Sequence, residues 1–401
     1  MQVDENLARF LRYVKIDTQS DDTSKTTPST LKQLDLARQL MKELDELGIP
    51  NELDEYGRVY AHLDGEKGLP TIGLNSHMDT ALECSGKDVK PQIHENYDGK
   101  DIRLNEEYTL SPKDFPNLLR HIGDTLVTTS GDTLLGGDDK AGDAIIMSVL
   151  AYYVAHPEVK HHPIAILFTP DEEIGRGPEH FDAKKFGADW AYTIDGDFPD
   201  HIDIDNFNGS HADVKIHGFG IHPGEAKGKM VNAIRVAEEF DSLLDPNEKP
   251  EYTDGWDGFN HILSFQGDST YVEMHYIIRN HKKELLEKQK KEFVFAKEFL
   301  EKKYPNAKIE LEIADDYRNM SEVLEKDPRA VEHARKVFRS LGIEPVSLPV
   351  RGGTDGATFS FQGCPTPNLG TGSYNHHGRF EYLSVREFNL MIEIVKALVK
   401  A

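Results

Sequence analysis

The run Ala165-Ile166-Leu167-Phe168-Thr169-Pro170-Asp171-Glu172-Glu173 decides how this chain is read. Its first five residues are apolar or β-branched without a polar break, the pattern of a buried strand. Pro170 follows, and then three carboxylates stand in a row. Crowding three acids at a strand end is costly unless cations neutralise them. One of them can ligate a metal while its neighbour accepts a proton from metal-bound water, whose pKa the metal lowers towards ~7. Standing by itself, the triplet has a solvated acidic loop as its lesser alternative.

Working outward, the triplet does not stand by itself. Thr71-Ile72-Gly73-Leu74-Asn75-Ser76-His77-Met78-Asp79 ends another apolar run on a histidine and an aspartate two residues apart. Residues at that spacing in a strand share a face. A carboxylate bonded to the far nitrogen of a metal-bound imidazole fixes its tautomer, so His77 reads as a ligand and Asp79 as the group that orients it. Leu134-Leu135-Gly136-Gly137-Asp138-Asp139-Lys140 places two acids just before an apolar helix. One could bridge two metal ions ~3.5–4 Å apart, and both could cap the helix. Ala191-Tyr192-Thr193-Ile194-Asp195 ends a fourth run on an acid. Near the end, Tyr374-Asn375-His376-His377-Gly378 lies in a Gly/Ser/Asn-rich loop, where functional residues concentrate. Open α/β sheets bind ligands at the carboxyl ends of their strands. Carboxylates and imidazoles gathered there, with no thiolate among them, suit a hydrolytic zinc, cobalt or manganese site.

The bulk properties agree with a soluble enzyme and exclude other classes. At 401 residues two domains are expected. A formal net charge of −24 argues against nucleic acid or an anionic membrane as partner, because a phosphate backbone demands clustered Lys and Arg. Two cysteines, Cys84 and Cys364, are too few for a disulfide framework and point to a reducing, cytoplasmic setting. Met1 to Lys15 lacks a basic start and a long apolar core, so it reads as an amphipathic helix rather than a signal peptide. No stretch approaches the ~20 apolar residues of a membrane span. Gly131-Asp132-Thr133-Leu134-Leu135-Gly136-Gly137 matches neither G-x-G-x-x-G nor a P-loop, which weakens a nucleotide-binding reading.

Up to about residue 207 helix and strand patterns alternate. Leu31–Leu47 has one apolar face, with Ser29 or Thr30 available to cap its start and Gly48 its end. Lys140–Ala155 is a second, apolar helix. Alternation of this kind predicts an α/β fold, a mainly parallel sheet with helices on both faces. From 208 to 318 the order becomes βαββαβ, with Lys283–Lys303 a charged helix whose candidate inward residues are Leu286, Phe293, Phe295 and Leu300. That stretch reads as an inserted α+β lid domain. If His377 joins the earlier ligands, residues 1–207 and 319–401 form one discontinuous catalytic domain.

Four of these segments, His77-Met78-Asp79-Thr80, Gly137-Asp138-Asp139-Lys140-Ala141-Gly142, Thr169-Pro170-Asp171-Glu172-Glu173 and Asn375-His376-His377-Gly378, resemble those of the di-zinc exopeptidases related to carboxypeptidase G2 and dipeptidase V. The likeness runs almost end to end. It includes Phe10-Leu11-Arg12-Tyr13-Val14, Pro91-Gln92-Ile93, Glu95-Asn96-Tyr97, Gly187-Ala188-Asp189-Trp190-Ala191-Tyr192 and Arg351-Gly352-Gly353-Thr354-Asp355-Gly356, and lies nearest to the family's bacterial aminotripeptidases. The resemblance implies two Zn2+ per chain, with Co2+ or Mn2+ as substitutes. Asp138 would bridge them, His77 and Asp195 would hold one ion, and Glu173 and His377 the other. Glu172 would be the general base acting on a metal-bridging water, with Asp79 orienting His77. His222 would help stabilise the oxyanion, and Arg279 and Arg351 would contact substrate. The implied substrates are tripeptides. A dipeptidase or N-acyl-amino-acid deacylase would use the same site, because pocket walls set specificity. A non-catalytic binding protein would show a damaged ligand set. A homodimer is among the assemblies the family allows. Gly137 departs from the family, which usually has Ala there, and His376 is a second imidazole within reach of a metal.

Overall fold

Ile72–His77 and Ile164–Thr169 are each buried along their whole length, which explains why they read as continuous apolar runs rather than alternating ones. A strand covered on both faces must satisfy two cores. In the second strand Ile164, Ile166 and Phe168 pack into one core. Ala165 and Leu167 pack into another, with Phe186 and Phe359. The computed structural model describes residues 4–401.

The chain divides into two compact units. The first comprises Met1–Ile204, Met320–Leu348 and Thr354–Ala401. Its main sheet has seven strands, in the order Asn51–Leu53, Val59–Leu63, Ile164–Thr169, Ile72–His77, Trp190–Gly196, Asn368–Gly370 and Ile202–Asp203. The neighbours from Ile164–Thr169 to Asn368–Gly370 pair in parallel, and the strands outside them antiparallel. The expected α/β fold is present, with antiparallel strands added at both edges. Helices Glu5–Tyr13, Gly137–Ala155 and Val385–Val399 pack on the larger core, and Asp355–Phe361 packs on the other. A four-stranded antiparallel sheet, in the order Ser373–Tyr374, Tyr382–Ser384, Leu126–Thr128 and Gln92–His94, completes this unit.

The second unit comprises Asp205–Asn319 and Pro349–Gly353. Its antiparallel sheet has the order Phe259–Gly267, Tyr271–Asn280, Asn208–His217 and Lys308–Tyr317. Burial alternates along Asn208–His217 and Tyr271–Asn280, so one face of each strand is apolar. Ala212, Val214, Met274 and Ile278 pack there against Phe240, Phe293 and Leu300 of helices Ala233–Ser242 and Lys283–Lys303. Pro349–Gly353 joins this unit, outside the expected limits of 208–318, because Arg351 is tied into it. Its Nη1 donates to the carbonyls of Gly255 and Asp257, and its Nη2 to Thr253.

Three local expectations are corrected. Phe295 is 59% exposed rather than inward, because Leu286, Phe293 and Leu300 recur every seven residues and Phe295 falls off that stripe. The residue pattern over Lys227–Leu244 predicts a helix there; the helix begins only at Ala233, where Asn232 caps it through the backbone N–H groups of Ile234 and Arg235. Helix Gln33–Glu46 has no side-chain cap from Ser29 or Thr30, since both hydroxyls are engaged elsewhere. Among the described residues, no helix is long and apolar enough to cross a membrane.

Candidate metal centre

Strand register brings the first ligands together. Asn75 pairs with Thr193, so His77 and Asp195 each stand two residues beyond a paired position and share a face. His77 Nε2 lies 3.4 Å from Asp195 Oδ1 and 2.8 Å from Asp138 Oδ1. Asp138 comes from the start of helix Gly137–Ala155, ahead of its regular turns, with φ −82 and ψ 106. Asp138 Oδ2 lies 3.3 Å from His377 Nε2, which is 3.0 Å from Glu173 Oε2. The ligand atoms of His77, Asp138 and Asp195 all lie within 4.8 Å of one another, as do those of Asp138, Glu173 and His377. Asp138 belongs to both groups.

Two turns that carry these side chains depend on unusual backbone. Asp171 has φ +60 and His377 has φ +62, in the left-handed region that non-glycine residues rarely enter. At Asp171 the chain leaves Ile164–Thr169 and enters the 3-10 turn Glu172–Ile174, which carries both glutamates. His377 sits in the loop between Ser373–Tyr374 and Tyr382–Ser384, closed by a bond from Asn375 Nδ2 to the Phe380 carbonyl. His376 is less well placed. Its Nδ1 is 3.6 Å from Asp138 Oδ2 and 3.5 Å from Asp197 Oδ1.

The paired acids Asp138 and Asp139 separate. Asp138 faces the imidazoles, while Asp139 accepts from the backbone N–H of His77 at 3.1 Å and of Gly142 at 3.1 Å. One carboxylate reaches the ligand groups and the other ties the first strand to the helix start. Asp79 Oδ1 lies 3.3 Å from His77 Nδ1. It also does something the sequence does not reveal. Its carboxylate accepts from the backbone N–H of Glu172 at 3.0 Å and of Glu173 at 3.2 Å, and from the Ser20 hydroxyl.

Glu381 is a second group without a short-range signal. It accepts from the backbone N–H of Leu135, Gly136 and Asp138, at 2.6, 2.8 and 3.0 Å. The loop that delivers Asp138 is therefore wrapped around a buried carboxylate. Gly136 turns there at φ +81, and a Cβ on Gly137 would stand 2.1 Å from Ser373 Oγ. That contact explains why glycine suits position 137 in this chain.

The electrostatics show a site short of positive charge. Burial and its neighbour Asp138 raise the Glu173 carboxyl to about 7. Burial raises Asp195, and it holds Glu172 well above the usual carboxylate range, helped by Asp195, Asp355 and Glu173. His377 is pushed up to about 12 by Asp138 and Glu173. Burial disfavours a charged His77, but Asp195, Asp138 and Asp79 outweigh it and hold the imidazole well above its ordinary value. Glu173 Oε1 is buried without a hydrogen bond. Oxygen and imidazole donors, crowded carboxylates and an unbonded buried carboxylate oxygen fit divalent cations.

The three residues expected to contact substrate lie in the second unit. His222 is exposed, with Nδ1 accepting from the Gly224 N–H. Arg279 is bonded to the Ser210 and Ile278 carbonyls and paired with Asp316 at 3.1 Å.

Comparison with known proteins accords with this geometry. Residues 135–401 match the model of peptidase family M20/M25/M40. The chain belongs to that family. It is 50% identical to a peptidase T of Caldanaerobacter subterraneus over 98% of this chain and 97% of the relative. It is 47% identical to a peptidase T of Clostridium acetobutylicum over 99% of each. A tripeptidase of Staphylococcus aureus has the same fold, with a TM-score of 0.79 at 22% identity, covering 98% of this chain and 97% of that one. As a member of the M20 family, the protein is a peptidase.

Proposed function

We propose that this peptidase is a metal-dependent aminotripeptidase that hydrolyses the N-terminal peptide bond of tripeptides. The observation that carries the proposal is the pair of three-residue ligand groups sharing Asp138, with Glu172 next to the ligand Glu173 in the turn that follows Ile164–Thr169. His77, Asp138 and Asp195 would hold one ion, and Asp138, Glu173 and His377 the other. Two zinc ions suit this donor set, and cobalt or manganese can replace them. Bound there, the ions would polarise the scissile carbonyl and make water acidic enough to ionise near neutral pH. Glu172 takes the proton from the attacking water and returns it to the leaving amine. Burial, with Asp195, Asp355 and Glu173 close by, raises its affinity for a proton, which suits a proton acceptor. Asp79 holds His77 in orientation and, through two backbone bonds, keeps Glu172 and Glu173 at fixed positions.

The same proposal assigns the second unit to substrate recognition. His222 would face the developing oxyanion, and Arg279 and Arg351 would bind peptide carboxylate. A fixed guanidinium fork is the group for that task. The relatives named peptidase T support tripeptides as substrates. Two free, buried cysteines suit a reducing cytoplasm.

The test is a peptide panel on zinc-loaded and chelator-stripped protein: Ala-Ala, Ala-Ala-Ala, Ala-Ala-Ala-Ala and N-acetylated Ala-Ala-Ala. Metal-dependent release of the first residue from the free tripeptide alone is expected. Preference for the dipeptide or the acetylated peptide would keep the metal chemistry and overturn the substrate.

A further inference from the structure

The segment before the first long helix contributes no metal ligand, yet its Ser20 and Ser29 are buried, Ser29 against Asp171 and Ser20 against Asp79. Gln33, fully buried in the first turn of helix Gln33–Glu46, grips Asp171 with both ends of its amide. Its Oε1 accepts from the Asp171 backbone N–H at 3.1 Å, and its Nε2 donates to Asp171 Oδ1 at 2.6 Å. Ser29 supplies the remaining bonds. Its hydroxyl donates to Asp171 Oδ1 at 2.5 Å and its backbone N–H to Oδ2 at 2.7 Å. Asp171 thus has its backbone N–H and both carboxylate oxygens satisfied by two residues some 140 positions earlier in the chain.

This arrangement has a mechanical meaning. An aspartate at φ +60 stores conformational strain that its surroundings must outweigh. Glycine would adopt that conformation without strain, but glycine has no carboxylate to be gripped. Here the left-handed turn is held from one side by Gln33 and Ser29, which fix Asp171, and from the other by Asp79, which fixes the N–H groups of Glu172 and Glu173. The two supports are themselves joined, because Ser20 in the same segment bonds Asp79 and the Thr80 carbonyl. Thr30 bonds the Gln19 carbonyl, and Gln19 bonds the carbonyls of Ala81 and Cys84. Residues 19–33 are a brace for both ends of the turn.

We propose that Gln33 and Ser29 are positioning residues: by clamping Asp171 in its left-handed conformation they hold Glu172 where it can receive the proton of the attacking water. The inference rests on the proposed role of Glu172. A misplacement of about 1 Å in such a group lowers a rate on the order of 100-fold.

The test uses the zinc-loaded full chain and four variants: Gln33→Leu, Ser29→Ala, Asp171→Gly and the double variant Gln33→Leu/Asp171→Gly. Gln33→Leu should lower kcat on Ala-Ala-Ala by about 10- to 100-fold while KM and bound zinc stay within about twofold of wild type. Asp171→Gly relieves the strain but removes the gripped carboxylate, so it should lose kcat as well. The double variant should be no worse than the poorer single one, because both changes break one clamp. Ser29→Ala, which keeps its N–H, should fall between wild type and Gln33→Leu. Losses that multiply in the double variant, or wild-type kcat in a folded Gln33→Leu protein, would overturn the clamp. Amide hydrogen exchange over residues 165–175 gives an answer independent of activity. Faster exchange in Gln33→Leu is expected, and unchanged exchange would count against the proposal. If wild type cleaves no tripeptide, the proposed function fails, while this exchange measurement still decides whether the clamp exists.

Discussion

In the first unit His77 faces Asp79, Asp138 and Asp195 deep inside the protein; in the second, His211 and His275 each face one aspartate on a partly exposed sheet face. The pair distances are similar. His211 Nδ1 is 2.5 Å from Asp316, and His275 Nδ1 is 2.5 Å from Asp213. What differs is the ratio of acids to bases and the access of water. On the sheet each imidazole has its own carboxylate, and Lys215 balances Glu273 across the neighbouring strands. In the buried cluster carboxylates outnumber imidazoles, and Glu173 Oε1 is left without a hydrogen bond. Histidine and aspartate in contact do not mark a metal site. An unbalanced, buried excess of carboxylate does, because a bound cation relieves it where protonation is otherwise the sole remedy.

Four experiments sharpen or break this contrast. The largest effect should come from Glu172→Gln, which leaves every ligand in place. Turnover of Ala-Ala-Ala should fall by about 100- to 10,000-fold while bound zinc, measured by elemental analysis, stays at wild-type stoichiometry. Retained turnover would remove Glu172 from the role of base. Next, Asp138→Asn should impair binding at both ions and Asp195→Asn at one, since only Asp138 belongs to both groups. Equal metal content in the two variants would show that Asp138 is not shared. Glu381→Gln should weaken zinc binding by about 10- to 100-fold without touching a ligand. The amide would turn an N–H2 towards backbone N–H groups that now donate to a carboxylate. A competition titration against a chromophoric chelator measures the change, and unaltered affinity would mean the loop holds its shape alone. The smallest effect belongs to the sheet: Asp213→Asn should change stability by no more than about 1 kcal/mol by urea titration, with zinc content unaffected. A loss of zinc there would dissolve the distinction between the two clusters.

The same contrast explains what could be read from the chain before folding. His77, Glu173 and Asp195 stood out because each closely follows or ends an apolar strand, and strand ends in such sheets are where ligands gather. Asp138 and Asp139 were legible as a pair but not as individuals, because only the three-dimensional path of the helix start separates ligand from backbone anchor. The hydroxyl of Ser29 was misread as a helix cap because its true partner, Asp171, is far away in sequence. Glu381 and Gln33 carry no local signal at all: each acts on a loop brought near by the sheet. In the second unit the order of strands and helices was plain from period-two and period-3.6 patterns. Phe295 was misplaced because it neighbours Phe293 on a helix where two positions apart means nearly opposite faces.

The discontinuity of the first unit also orders events during synthesis. Residues 205–319 form a contiguous piece with its own core and can collapse as soon as they emerge. The seven-stranded sheet cannot close then, because Asn368–Gly370 must slot between Trp190–Gly196 and Ile202–Asp203, strands made some 170 residues earlier. Pairings of such long range are slow to form and leave edges open meanwhile. The last strand of the sheet, His377 and Glu381 arrive together in the final stretch of the chain. A nascent chain halted before residue 368 therefore lacks Asn368–Gly370, His377 and Glu381, and should be unable to assemble the second of the two ligand groups, however long it waits.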